Sequence, residues 1–201
     1  MEDLSIKEIK KQFEHKDYFT RTVFIEQYHF KDAHSDYYRD FIINFNYKIK
    51  NFNYVSDMID LANDLSIYDD VLYFNYLKYF QEKFHVVVKL SILRYAIDRN
   101  DEILDVDLEK KLVTILDKRI HIILKNQLLC SLYKLTEKEY YFNLLIESLN
   151  KTNDSRSFFR ILSNEKNIPN DLEKRQILLT KIKLIHEKKN LGKGMTELLQ
   201  R

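Results

Sequence analysis

The stretches YLKYFQEKFHVVVKLSILRYA (Tyr76–Ala96) and LVTILDKRIHIILKNQLLCSL (Leu112–Leu132) decide the fold. Few of their residues are identical, but their apolar positions coincide almost throughout. Phe80 falls on Leu116, Phe84 on Ile120 and His85 on His121. Val86-Val87-Val88 falls on Ile122-Ile123-Leu124, Lys89 on Lys125, and Ile92-Leu93 on Leu128-Leu129. Within each copy the apolar residues recur at the three- and four-residue steps of one helix face. A looser third copy leads from Phe142, Leu145 and Ile146 through a shorter loop into Phe158-Phe159 and Leu162. Helical repeats with a period of roughly 30 to 40 residues pack as stacked pairs, because one pair cannot bury its apolar face alone. The expected fold is all-α, a short right-handed stack of antiparallel helix pairs with about ten helices.

The second copy, extended to LVTILDKRIHIILKNQLLCSLYKL, resembles a HEAT-type repeat unit. Such a unit has a first helix ending in Asp and a second opening with an apolar and a basic residue. Asp117 sits at the inter-helix Asp, and Lys125 stands where the family carries Arg. The alanines of the second helix are absent, with Leu129 and Cys130 in their region, and Gln81 replaces the Asp in the preceding unit. The resemblance runs over residues 70–163 and implies a HEAT-like α-solenoid. A tetratricopeptide pattern fits less well, since the small residues that pack its paired helices are missing.

Composition agrees with the helical reading. The only glycines are Gly192 and Gly194, and the only proline is Pro169. All-β folds need tight turns built on such residues, and doubly wound α/β folds need glycine at strand-to-helix turns. Helix pairs joined by Asn, Asp and Ser do not. A formal net charge of +2 does not call for a nucleic-acid partner. No apolar run approaches the roughly 18 to 20 residues that span a bilayer, and the first residues are polar and charged. The lone Cys130 excludes an intramolecular disulfide and fits a reducing compartment. The expected location is the cytoplasm.

Cap patterns and periodicity predict helices over residues 4–14, 20–30, 36–49, 54–64, 69–83, 86–98, 107–117, 120–135, 138–149, 155–163 and 171–189. A short final helix over Met195–Leu199 is a further option. Ser5 with Glu8, Thr136 with Glu139, and Asn170 with Glu173 have the spacing of capping boxes, and Ser66 with Asp69 a weaker version. The expected organisation is a single domain over residues 1–201. Residues 1–53 form an N-terminal cap, 54–163 the repeats, and 164–201 a C-terminal helix and tail.

Candidate chemistry is sparse. His29 and His34 flank Asp32, but two histidines five apart share no helix face, and a metal needs three or four converging ligands. His85 and His121 occupy equivalent repeat positions. Repeat positions recur for packing reasons, so locally satisfied helix-start histidines are the simpler reading. Cys130 aligns with Arg94 in the repeat, which places it at the edge of a buried face, with no His to activate it. No catalytic residue, metal or cofactor is assigned.

Asp57, Asp60 and Asp64 fall at i, i+3 and i+7, with Asp69 and Asp70 following and almost no basic residue nearby in the chain. Together with Tyr73 and Tyr76 they are the candidate partner-binding residues, on the expectation that the tyrosines are exposed. Half of the many tyrosines are expected in the core. The leading expectation is a non-catalytic protein–protein interaction module that binds another protein. A concrete form is a small bacterial or phage immunity protein or inhibitor that occludes its partner. The alternative is a nucleic-acid-binding HEAT-like repeat that uses lysine-rich faces carrying Lys118, Arg119, Lys125, Lys174, Arg175 and Lys181.

Overall fold

The computed structural model describes residues 4–30, 34–82, 84–116, 118–152, 155–162 and 168–199. Among them the chain is helical, with twelve helices and no strand. It divides into two compact units, Met1–Asp105 and Val106–Arg201. The division falls inside the expected repeat block rather than at its edges. Residues expected to form an N-terminal cap belong to the same unit as the first repeats.

The first unit holds α1 (Ile6–Phe13), α2 (Tyr18–Gln27), α3 (Ser35–Ile43), α4 (Phe52–Asp64), α5 (Asp70–Gln81) and α6 (Val86–Glu102). Short side-chain oxygens start most of them. Ser5 and Glu8 form the expected capping box, Asp17 caps α2, Asn51 caps α4 and Asp69 caps α5. Each takes up backbone N–H groups that a helix start leaves unpaired. Asp69 displaces the expected Ser66, which instead adopts a left-handed conformation in the preceding turn (φ 52°).

α4 and α6 are the most intimately packed pair of the unit. Ser56 bonds Ser91, and seven residues further along both helices Asn63 bonds Asp98, so the two helices run in the same direction. α2 and α3 pack on α4, α5 on α6, and α1 on α2. The core is aromatic as well as aliphatic: Phe13, Tyr38, Tyr54, Tyr76, Phe80 and Tyr95 are almost wholly buried. Removing each such ring from water contributes roughly 1.5–3 kcal/mol.

The second unit holds α7 (Leu108–Leu116), α8 (Ile122–Thr136), α9 (Glu139–Lys151), α10 (Ser155–Leu162), α11 (Leu172–Lys189) and α12 (Lys193–Leu199). α8 is its axis, flanked by α7, α9 and α10, while α11 packs on α9 and α12 on α10 and α11. Two expected caps are corrected here. Thr136 ends α8, donating its hydroxyl to the Leu132 carbonyl, and α9 starts after Lys138 without a side-chain cap. α11 is capped by Asp171, one residue after Asn170. Glycine is so scarce that α8 and α11 end on left-handed Glu137 (φ 52°) and Asn190 (φ 49°), where glycine is the usual choice. Asp117, the residue matched to the HEAT inter-helix Asp, lies outside the described residues.

Candidate functional site

Two of the three acidic residues of α4, Asp60 and Asp64, come together around an arginine that is distant in the chain. α4 presents Asp57, Asp60 and Asp64 along one edge, and α6 brings Arg94 against that edge. Arg94 lies 2.7 Å from Asp64, 3.5 Å from Asp60 and 3.7 Å from Asp98, so one guanidinium serves three carboxylates. Asp98 is buried and also accepts a 2.6 Å bond from the Asn63 amide. Asp60 accepts from the Ser91 hydroxyl at 2.9 Å, and Asp57 from the Thr22 hydroxyl at 2.7 Å. The result is a strip with a surplus of negative charge.

Burial pushes both Asp57 and Asp60 above the usual carboxylate range. The Thr22 hydroxyl pulls Asp57 back in part, and Ser91 and Arg94 do the same for Asp60. Holding these groups ionised therefore costs stability. A folded pKa above the unfolded one means that the group's stabilising contribution is complete at acid pH and is lost as pH rises through the folded value. Asp57→Asn removes that loss while its amide oxygen still accepts from Thr22. Near neutral pH the variant should be more stable than the parent. The gap should close as pH falls through the carboxylate range. Urea unfolding at neutral and acid pH measures it, and a variant less stable at neutral pH would contradict the assignment.

The remaining expected contact residues divide. Asp69 caps α5 through Val71 and Leu72 and pairs with Arg39 at 3.1 Å. Asp70 pairs at 2.5 Å with Arg99, whose guanidinium lies 4.2 Å over the Tyr73 ring. Tyr73 and Tyr76 are not an exposed patch: they are 3 % and 0 % exposed. The Tyr73 hydroxyl donates to Asp105, and Tyr76 donates to the Tyr47 hydroxyl at 2.8 Å. The exposed apolar residues of α5 are Val71 and Phe74.

The basic residues of the alternative reading lie on α8, on α11 and in the turn between α7 and α8. Lys118 and Arg119 are exposed between α7 and α8, and Lys125 is half-buried on α8. Lys174 of α11 is engaged within the fold, paired with Glu139 and set 5.3 Å over the Phe142 ring. Arg175 is exposed and Lys181 half-buried on the same helix.

His85 and His121 have matching structural roles. Each is the N-cap of its helix, and its Nδ1 accepts from the backbone N–H two residues on, at 3.4 Å from Val87 and 3.2 Å from Ile123. The flat His85 ring also stacks on Phe52 at 5.3 Å. His29 is exposed and His34 begins α3, while Asp32 lies outside the described residues. Among the described residues no three His, Cys, Asp or Glu side chains converge as metal ligands. Cys130 is not at an edge: it is 2 % exposed, and burial pushes its thiol up to about 12, so it stays protonated and inert.

Sequence reasoning missed Arg94, Asp98 and Ser91. Arg94 and Asp98 stand at i and i+4 on α6, a spacing that puts a charge pair on one face and could have drawn attention. No described helix is long and apolar enough to cross a membrane. No protein-family model, curated protein or solved structure matches the chain.

Proposed function

We propose that the chain is a non-catalytic binding module, built as stacked helix pairs, whose α4–α6 edge receives a basic segment of another protein. The stacking reading is supported by a regularity within each unit. Most long-range side-chain hydrogen bonds join residues separated by 28 to 37 positions, linking a helix or its flanking turn to the next repeat. A repeat of about that length is what helical stacks share.

The observation that carries the binding reading is the run of carboxylates gathered on the α4–α6 edge. Arg94 is shared between Asp60 and Asp64, and Asp57 beside them is met by the Thr22 hydroxyl. Two of those carboxylates are kept against the penalty of burial. A lysine or arginine side chain from a partner would relieve both the repulsion and the desolvation cost. Surface charge of one sign also speeds encounter with a partner of the other.

The test is capture from native lysate by the tagged full chain and by Asp64→Lys, with and without nuclease. Asp64 is exposed, so the reversal spares the core. A protein retained after nuclease, and lost at least tenfold with Asp64→Lys or in high salt, is the expected result. Recovery of nucleic acid with no effect of Asp64→Lys would replace this reading with the lysine-face alternative.

A further inference from the structure

A cavity of about 350 Å3 opens within the first unit, where the ends of α1 and α3 meet α2 and the start of α4. Its walls are aromatic. Phe13 and Phe41 stack at 4.3 Å, Phe45 meets Tyr54 edge-on at 5.4 Å, and Tyr18 lies 5.5 Å from Tyr54. Arg21 completes the lining. Its guanidinium lies 4.7 Å from the centre of the Tyr18 ring and 5.3 Å from that of Tyr54, and its Nε donates to the His15 carbonyl.

Arg21 differs from the other arginines of the unit. Arg39, Arg94 and Arg99 each pair with aspartate. Among the described residues no carboxylate pairs with Arg21. Glu14 also lines the cavity, but its side chain is 58 % exposed and stands 3.8 Å from Lys10. A guanidinium held by the Tyr18 ring, by the Tyr54 side chain and by a backbone carbonyl has been oriented without being neutralised by a carboxylate.

We propose that this cavity binds a small aromatic carboxylate, independently of the acidic α4–α6 edge. The ring enters among the half-buried Tyr18, Phe41 and Phe45, where edge-to-face and offset contacts are favourable. The carboxylate accepts from Arg21 in a charge-assisted bond. The volume lies at the low end of small-molecule sites, which selects a ligand of one or two rings.

The chain has no tryptophan, so an indole ligand can be excited alone, beyond tyrosine absorption. Titration of the full chain into indole-3-acetate should give saturable one-to-one binding, with a Kd on the order of 0.1–1 mM for a ligand of this size. The neutral analogue indole-3-ethanol should bind about tenfold more weakly. Arg21→Gln should weaken indole-3-acetate by about tenfold and leave indole-3-ethanol unchanged. Asn44→Phe, at an exposed lining position, should fill the mouth and abolish binding of both, with circular dichroism unchanged. Absence of saturation into the millimolar range, or binding that survives Asn44→Phe, would overturn the site. Equal affinity for the two indoles would overturn its selection of an anion.

Discussion

Truncating Tyr95 to alanine should remove about 3–5 kcal/mol of stability, the range for deleting a large buried ring. Tyr95 is wholly buried in α6, with its ring 4.9 Å from Tyr76 and 5.5 Å from Tyr68. Its hydroxyl donates to the Ile67 carbonyl at 2.7 Å, in the turn that follows α4. The variant loses ring contacts, leaves a cavity and strands a backbone acceptor. Tyr95→Phe separates these effects: it keeps the ring and loses only the bond, at about 1–2 kcal/mol. Urea unfolding followed by circular dichroism reads both. A loss under about 1 kcal/mol for the alanine variant would mean that the ring is not part of a close-packed core.

The same device recurs through the first unit. Tyr54 donates to the Phe13 carbonyl at 3.2 Å, and Tyr47 to the Ile42 carbonyl at 2.9 Å. Phe13 and Ile42 lie in the last turns of α1 and α3, where carbonyls have no partner within the helix. Glycine-rich C-caps usually supply such partners. A chain whose two glycines both lie after Asn190 uses phenols there instead, from α4 for Phe13 and from the turn just after α3 for Ile42. The tyrosines thus act as core residues with a polar tip, and this accounts for Tyr73 and Tyr76 being buried rather than displayed.

The helices were legible because caps and apolar spacing are local. Ser5 and Glu8 stand three apart whatever the fold, and the aligned His85 and His121 open α6 and α8 as the repeat implies. Cap identities failed where two short polar residues competed, as with Asn170 and Asp171, since their propensities are nearly equal. Burial on α5 was not legible. Val71 and Phe74 are exposed while Tyr73 and Tyr76 are buried, and all four are apolar in periodicity. The i, i+3, i+7 spacing correctly put Asp57, Asp60 and Asp64 on one edge. The arrival of Arg94 depends on the parallel packing of α4 and α6, which the repeat implies only once its register is known.

A buried amide joins α8 to α9 and α10 in the second unit, and replacing it should cost nearly as much as losing a core ring. Asn126 of α8 is wholly buried. Its Nδ2 donates to Ser157 of α10 at 2.6 Å, and its Oδ1 accepts from Ser148 of α9 at 2.6 Å. Asn126→Ala breaks both bonds, leaves two buried hydroxyls without that partner and opens a cavity, for an expected loss of about 2–4 kcal/mol. Ser157→Ala alone should cost less, because the amide keeps its bond to Ser148. If the three side chains act as one unit, the losses will not add. The double variant Asn126→Ala/Ser157→Ala should be more stable than the sum of the single losses predicts, by roughly 0.5–3 kcal/mol. Simple additivity would mean that the amide and the serine contribute independently. A coupled result makes the amide the element that selects one sliding position of α10 on α8, because an apolar seam tolerates a one-turn shift and a buried amide that must meet two hydroxyls does not.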